Sequence, residues 1–275
     1  MPVVFMECVK DRMSMKRQRF IKCGLAVCAV LTVSLYFVSC SKPPAEIKKV
    51  KVLFIGNSLT YVNDLPGLTA ELAKSRNFAM EHDQYAPGGY TLSQHSRDSQ
   101  LLEKINKGGW DFVVLQEQSQ MPAYSWAQTE VIPYAQKLSR LIRDANPQAQ
   151  VAFYMTMARK NGDQGNIQAF PELATYEGMQ QKINDTYIQM ARENQGLLVP
   201  VGLVWKNVRS QKPSLNLYGD DVHPNLTGTY LAACVFYSVL FKDSPVGLPH
   251  PQQIDDDTAK YLQTVTSDTI TSEAK

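Results

Sequence analysis

The chain has 275 residues, of which 44% are hydrophobic and 20% are charged, and its formal net charge is +2. This composition excludes a disordered protein, a collagen-like fibre and a polytopic membrane protein. Six of the 28 basic side chains lie in the first 39 residues, so the rest of the chain is nearly neutral. Without a basic stripe, nucleic-acid binding has no electrostatic support, and we expect no nucleic-acid partner.

The first 40 residues have the pattern of an export signal. Basic residues from Lys16 to Lys22 precede an apolar run from Gly24 to Val38, which is shorter than the roughly 20 residues that span a membrane. The run ends in Phe-Val-Ser before Cys40, which resembles the lipoprotein box of bacteria, where the cysteine is acylated and becomes the new N-terminus. We therefore expect residues 1–39 to be a signal peptide and Cys40 to carry a lipid. A single uncleaved anchor helix is the alternative.

The rest of the chain is organised as a short tether and one domain. Residues 40–49 contain a Ser-Lys-Pro-Pro segment, and residues 50–275 show neither a low-complexity linker nor an internal repeat. Ser41 follows the cysteine where an aspartate would retain a lipoprotein in the inner membrane of enteric bacteria. We therefore predict that the domain is lipid-anchored in the cell envelope, at the outer membrane of a Gram-negative cell.

Neither a disulfide framework nor a metal site is predicted. Four of the five cysteines lie in the first 40 residues, and Cys234 falls in the apolar run from Tyr230 to Phe241, where a buried, unreactive thiol is expected. The four histidines show no HExxH motif and no paired Cys/His spacing. We expect no metal and no other cofactor.

Short apolar runs alternate with longer helical patterns along the domain, which is typical of a parallel sheet covered on both faces. The predicted strands are Lys51–Ile55, Ala79–Tyr85, Phe112–Leu115, Val151–Thr156 and Leu197–Val201. The predicted helices are Leu65–Arg76, Leu92–Lys107, Ser125–Ala145, Ala174–Asn194, Leu226–Phe241 and Ile254–Val265. This order predicts a three-layer α/β/α sandwich with its chemistry in the loops that follow the strands.

Two segments carry residues suited to nucleophilic catalysis. Ser58 follows the first strand, and a serine needs a histidine base that is oriented by a carboxylate. Asp220 and His223 stand three residues apart before a predicted helix, so that one turn can present them side by side. Asp221 competes with Asp220 for the role of the acid. Each motif alone is also typical of a capped turn.

Together the two motifs resemble those of the SGNH hydrolases, also called GDSL-like esterases and lipases. Gly56-Asn57-Ser58-Leu59 is similar to the first block of that family, with Asn57 in place of the usual Asp, and Asp220-x-x-His223 is similar to the last block. The resemblance implies a flavodoxin-like five-stranded parallel sheet. It also implies Ser58 as the nucleophile and Asp220 and His223 as its triad partners.

The resemblance also implies three donors for an oxyanion hole. The first is the backbone N–H of Ser58, and the second is a glycine N–H after the second strand, where Gly89 is favoured over Gly88. The family's Gly-x-Asn block is absent. A glutamine after the third strand takes its place: similarity to related carbohydrate esterases favours Gln116, a gapless match to Gly-x-Asn points to Gln120, and Gln118 stays open.

Polar side chains near the strand ends are candidates for substrate contacts, namely Tyr61, Tyr90, His95 and Arg159. A structural role is the alternative for each of them. The resemblance implies an exported serine esterase that removes small acyl groups, especially acetyl, from a small-molecule or glycan ester. A lipase or thioesterase, an acyltransferase on the same triad, and a non-catalytic glycan-binding lipoprotein are the alternatives.

Overall fold

The protein is described by a computed structural model, in which residues 47–273 are placed. The predicted signal peptide, the proposed lipid carrier Cys40 and most of the predicted tether lie outside these residues. The last two residues of the predicted tether, Lys48 and Lys49, belong to the first strand, because they pair with Phe78 and Ala79 of the neighbouring strand.

Five strands form one parallel sheet, as predicted. They are β1 (Lys48–Ile55), β2 (Phe78–Tyr85), β3 (Phe112–Leu115), β4 (Gln150–Tyr154) and β5 (Leu197–Val199), in the order β2-β1-β3-β4-β5. This is the predicted flavodoxin-like order. Ile55 at the end of β1 pairs with Tyr85 on one side and Leu115 on the other, so three strands end level with one another at the carboxyl edge.

The central strands are buried on both faces, which explains their continuous apolar sequences. Val52–Ile55 of β1 and Val113–Leu115 of β3 are fully buried. The flanking helices are α1 (Ser58–Tyr61), α2 (Leu65–Lys74), α3 (Leu92–His95), α4 (Ser99–Lys107), α5 (Ala127–Glu130), α6 (Ile132–Ala145), α7 (Tyr176–Glu193), α8 (Val201–Gln211), α9 (Leu226–Phe241) and α10 (Asp256–Glu273).

Two predicted helices are interrupted for local chemical reasons. The helix predicted over Leu92–Lys107 breaks at Asp98, whose carboxylate caps α4 by accepting hydrogen bonds from the N–H groups of Gln100 and Leu101. The helix predicted over Ser125–Ala145 breaks at Val131, because Pro133 has no N–H for an upstream carbonyl and fits only the first turn of a new helix.

Helix α8 was missed by the sequence analysis, which extended the fifth strand to Val201. The strand stops at Val199, and Pro200 lies at the N-cap of α8. The apolar run continues unbroken from strand into helix, so hydrophobicity alone does not mark the boundary.

Helix α9 is a core helix, and most of its residues are buried. Cys234 lies in its middle and is fully buried, and burial raises the pKa of its thiol to about 12. The thiol is therefore protonated at neutral pH, as expected for an unreactive core residue. Among residues 47–273 no helix combines the length and the apolar character that a membrane span requires.

Candidate active site

Ser58 lies where β1 ends and the short helix α1 begins. The loop between them is Gly56-Asn57, and the Asn57 side chain caps α1 by accepting a hydrogen bond from the N–H of Leu59 at 3.2 Å. A side chain at position 56 would overlap the hydroxyl of Thr60 and the amide of Gln116. Only glycine fits there, so the loop stays tight and presents Ser58 at the carboxyl edge of the sheet.

His223 and Asp220 meet Ser58 at this edge. Nε2 of His223 lies 2.9 Å from Oγ of Ser58, and Nδ1 of the same ring lies 2.8 Å from Oδ2 of Asp220. The structure thus brings the three predicted triad residues into one hydrogen-bonded chain. The imidazole stands between the hydroxyl and the carboxylate, which is the arrangement in which a histidine removes a serine proton.

Asp220 is fixed by the backbone of its own turn. Its Oδ1 accepts hydrogen bonds from the N–H groups of Val222 at 2.7 Å and His223 at 2.6 Å. The hydrogen bond from the His223 backbone has the largest effect on the pKa of Asp220. Burial opposes it, but the hydrogen bonds from the His223 ring and the Val222 N–H add to it, and the pKa falls to about 2. The carboxylate is therefore ionised at neutral pH and can stabilise an imidazolium.

Asp221, the competing acid, has a different position. Its backbone carbonyl accepts a hydrogen bond from the N–H of Lys160 at 2.9 Å, and its side chain is exposed. Asn63 makes the next contacts along the chain, because it donates to the carbonyl of Pro224 at 3.0 Å and to the hydroxyl of Thr229 at 2.9 Å. The turn that carries Asp220 and His223 is thus tied to the loop after β4 and to the segment that follows Ser58.

Gln116 supports the loop Gly56-Asn57 that precedes Ser58, which we call the serine loop. Its side chain is fully buried, and Oε1 accepts hydrogen bonds from the N–H of Asn57 at 2.8 Å and the hydroxyl of Thr60 at 2.9 Å. Its Nε2 donates to the carbonyl of Glu117. The amide of Gln116 therefore holds the residues on both sides of Ser58, while its role as an oxyanion donor stays a prediction.

The other two candidate glutamines have different surroundings. Gln120 donates from Nε2 to Asp163 and to the hydroxyl of Tyr124, both at 2.9 Å. Gln118 accepts at Oε1 from the N–H of Gln120 at 2.8 Å, and its Nε2 donates only over 3.3 Å to Oε1 of Gln120. Among the three, Gln118 has the most weakly engaged amide donor.

The glycines after β2 form the second loop of the site. The N–H of Tyr90 donates to the carbonyl of Pro87 at 3.2 Å, and Gly89 has φ +71° in this turn, a backbone conformation that favours glycine. The carbonyl of Tyr90 accepts a hydrogen bond from Nδ2 of Asn57 at 2.9 Å. This contact ties the turn to the serine loop, although it does not test Gly89 as an oxyanion donor.

Two of the candidate substrate residues are available to a ligand at this loop. Tyr61 is 44% exposed, and Tyr90 is partly exposed. A methyl group on Gly88 would lie 3.5 Å from the hydroxyl of Tyr61, so Tyr61 stands beside the glycine turn. Their contact with substrate stays a prediction.

His95 lies beneath the serine loop and not at its surface. It is fully buried, and its Nε2 lies 2.8 Å from the carbonyl oxygen of Gly56, so Nε2 carries the proton and donates it. Burial lowers the pKa of His95, against smaller raising effects of the Gly56 carbonyl and Asp98. The ring is therefore neutral at neutral pH, and this geometry supports a positioning role instead of the predicted substrate contact.

Arg159 is anchored by a buried carboxylate. Its Nη1 lies 3.3 Å from Oδ1 of Asp163, and Asp163 also accepts hydrogen bonds from Tyr124 at 2.8 Å and Asn166 at 2.9 Å. Burial raises the pKa of Asp163, but the hydrogen bonds from Gln120, Tyr124 and Asn166 and the charge of Arg159 lower it by more. The guanidinium is therefore paired and held in place, and it is still 26% exposed.

Glu117 is a site residue that the sequence analysis missed. It is fully buried, and its carboxylate accepts hydrogen bonds from the N–H of Gln118 at 2.6 Å and the N–H of Leu92 at 3.2 Å. Burial raises its pKa to about 8, against smaller lowering effects of these two N–H groups. A glutamate two residues after the end of a buried apolar strand was the available signal. Its contacts join the end of β3 to the start of α3, which carries His95.

Comparison with known proteins supports the fold assignment. No protein-family model matches the chain, and no curated protein sequence matches it. Among solved structures, a DUF4886 family protein from Bacteroides uniformis has a TM-score of 0.71 and 19% identity, over 83% of this chain and 97% of that one. Identity this low supports a shared fold and no further similarity.

Two further structures connect this fold to ester hydrolysis. A protein from Slackia heliotrinireducens, provisionally described as an SGNH hydrolase, has a TM-score of 0.59 and 27% identity, over 70% of this chain and 100% of that one. The acetyl xylan esterase AlAXEase has a TM-score of 0.53 and 17% identity, over 70% of this chain and 100% of that one. The chain therefore has the SGNH hydrolase fold that its motifs predict, and this is a fold of carboxylic ester hydrolases.

Proposed function

We propose that this chain with the SGNH hydrolase fold is a serine esterase that removes small acyl groups, foremost acetyl, from carbohydrate. The observation that carries the proposal is the hydrogen-bonded chain from Ser58 through His223 to Asp220, at 2.9 and 2.8 Å. Ser58 is the nucleophile, His223 the general base and acid, and Asp220 the carboxylate that orients the imidazole.

The reaction follows from these roles. Oγ of Ser58 attacks the ester carbonyl carbon while its proton passes to Nε2 of His223. The protonated imidazole, stabilised by the ionised Asp220, then returns the proton to the leaving alcohol, and an acyl-serine remains. A water molecule attacks this acyl group with the same base, releasing the carboxylic acid and free Ser58.

An oxyanion hole completes the proposed site. The N–H of Ser58 points from the start of α1, a helix N-terminus whose free N–H groups favour developing negative charge. The N–H of Gly89 and the amide of Gln116 are the further donors that we propose. The fixed positions of the three loops are suited to this task, because Asn57 ties the serine loop to Gln116 on one side and to the glycine turn on the other.

Exposed side chains in the segments that follow the first four strands support a sugar alcohol over a long acyl chain. Tyr61 and Tyr90 stand at the glycine turn, and the anchored Arg159 offers free donors. Trp126 is 42% exposed, and its ring centre lies 4.7 Å from that of Tyr124. Tyr124 donates a hydrogen bond to Asp163, which also pairs with Arg159. Aromatic faces and fixed donors are the groups that bind sugar rings. The acetyl xylan esterase with this fold points to the same substrate class.

The test is ester hydrolysis by the purified protein. We expect turnover of p-nitrophenyl acetate, a steep fall in rate from acetyl to decanoyl esters, and release of acetate from acetylated xylo-oligosaccharides. The folded Ser58→Ala variant is the control and must be inactive. Faster hydrolysis of decanoyl esters would indicate a lipase, and glycan binding without hydrolysis would indicate a binding protein.

We also propose that the chain is exported and anchored in the cell envelope through a lipid on Cys40. The basic start, the short apolar run and the cysteine after Phe-Val-Ser support this proposal. An extracytoplasmic location suits an enzyme that acts on glycans.

A further inference from the structure

A cavity adjoins the turn that carries Asp220 and His223, and Ser58 is not among its lining residues. It has a volume of about 550 Å³ and lies between the loop after β4, the start of α7, the end of α8 and the segment that leads to Asp220. Tyr218 in its wall stands two residues before Asp220, and Lys160 in its wall donates its N–H to the carbonyl of Asp221 at 2.9 Å. The cavity is large enough for a sugar-sized ligand.

The charged side chains that line this cavity are mostly cationic. Lys160, Lys206 and Arg209 line it, against one carboxylate, that of Glu177. Within residues 47–273, none of the three cations forms an ion pair with a carboxylate. Unpaired cations gathered around a concave surface attract an anion.

Arg209 is held in a fixed orientation within this group. Its guanidinium lies 4.2 Å from the ring centre of Tyr176 and 5.6 Å from that of Tyr218. One Nη donates to the carbonyl of Lys160 at 3.2 Å. A guanidinium has five N–H donors in a rigid plane, so most of them stay free for a ligand. A stacked, oriented guanidinium is well suited to two parallel hydrogen bonds with a carboxylate.

The remaining lining distinguishes a sugar acid from a simple anion. Asn161, Ser210 and Asn216 offer neutral donors and acceptors that match hydroxyl groups. The carboxylate of Glu177 accepts hydrogen bonds from hydroxyls but repels a compact dianion. A free phosphate would fill little of the volume and would meet this repulsion. A polyhydroxylated monoanion fills more of the cavity and is repelled less by Glu177.

We infer that this cavity is a binding site for a carboxylate-bearing sugar such as a hexuronate, with Arg209 and Lys206 holding the carboxylate. The site is separate from the proposed catalytic centre. The inference rests on the cavity and its charges and does not depend on the proposed function.

The test is calorimetric titration of the full chain with D-glucuronate, with D-glucose as the neutral match and inorganic phosphate as the simple anion. We expect saturable binding of glucuronate and none of glucose. Arg209→Gln and Lys206→Gln should each weaken glucuronate binding about tenfold, since each removes a charge-assisted contact. Lys107→Gln, an exposed substitution on α4 outside the cavity, should bind as the wild type does.

Three outcomes would overturn the inference. They are no glucuronate binding by the folded wild type, unchanged binding in both Arg209→Gln and Lys206→Gln, or phosphate binding tighter than that of glucuronate. Lys206→Gln keeps the test valid if loss of the stacked Arg209 unfolds the chain. Hydrolysis of p-nitrophenyl acetate is measured separately: an active esterase that binds no glucuronate overturns only this inference, and an inactive protein that binds it overturns only the proposed function.

Discussion

Nε2 of His223 lies 2.9 Å from Oγ of Ser58, although 165 residues separate them in the chain. The contact exists because both residues stand at the carboxyl edge of one sheet, Ser58 after the two-residue loop that follows β1 and His223 in the turn that precedes α9. The hydrogen bonds from Asn63 to Pro224 and Thr229 hold the two segments together. The proposed chemistry depends on this distance.

The first prediction concerns Ser58 and His223. Ser58→Ala and His223→Ala should each lower kcat/KM for p-nitrophenyl acetate by at least about 10³-fold, because the nucleophile and its base act as one unit. The double variant should therefore be hardly less active than either single variant. Thermal unfolding of each variant checks that it is folded. Multiplicative losses in the double variant would contradict a shared mechanism.

The second prediction separates the two neighbouring aspartates. Asp220→Asn should lower kcat by about 10³- to 10⁴-fold, because the amide no longer stabilises the imidazolium, whereas the matched Asp221→Asn should change it less than about threefold. The readout is kcat for p-nitrophenyl acetate at pH 8. The reverse order of the two losses would assign the acid role to Asp221.

The third prediction uses the pKa of Asp220, which the fold lowers from 3.8 to about 2. A lowered carboxylate pKa stabilises the folded chain above the unfolded value and loses this effect as pH falls through the folded value. Asp220→Asn should therefore have a lower Tm than the wild type at pH 5, and most of the difference should be lost by pH 2. A Tm difference that persists unchanged at pH 2 would show that the hydrogen bonds of Asp220 do not depend on its charge.

The fourth prediction concerns His95, whose pKa is lowered by burial. Below the ordinary value of 6.5 the unfolded chain takes up a proton that the folded chain resists, so stability falls as pH falls. His95→Gln keeps a donor for the Gly56 carbonyl without this titration. Its Tm should decline less between pH 7 and 5 than that of the wild type. His82→Gln, at an exposed position on β2, should decline as the wild type does.

The fifth prediction concerns the glutamines after β3. Gln116→Ala should lower kcat by about 10²- to 10³-fold with little change in KM, because a donor to the oxyanion acts mainly in the transition state. Thr60→Val removes one hydrogen bond of the Gln116 amide but leaves the amide itself, so its smaller loss measures the support of the serine loop. If Gln118→Ala or Gln120→Ala lowers kcat in this way and Gln116→Ala does not, the donor role belongs to that glutamine.

The proposed lipid anchor can be tested independently of activity. The wild-type chain should incorporate labelled palmitate and fractionate with outer membranes, and Cys40→Ala should do neither. Cys234→Ala is the matched control, because this thiol is fully buried. Membrane retention of Cys40→Ala would favour the uncleaved anchor helix.

The sequence by itself determined the layers of the fold and the two segments that carry the chemistry. The strands β1, β3 and β4 were predictable because their buried stretches read as continuous apolar runs, whereas β2 is an edge strand with a mostly polar sequence. A glycine-asparagine-serine at one strand end and Asp-x-x-His before a helix were visible as motifs because their chemistry depends on local spacing. Local hydrophobicity did not separate β5 from α8, where one apolar run serves both elements.

Only the tertiary structure decided which side chains meet. It placed the buried Gln116 and His95 beneath the serine loop, where each uses its hydrogen bonds to hold Gly56 or Asn57. It also placed Glu117 in the protein interior, and no local pattern gives the desolvation that raises its pKa. These relationships depend on how loops from separate strands pack at one edge of the sheet, and the free energy of that packing arises between residues that are distant in sequence.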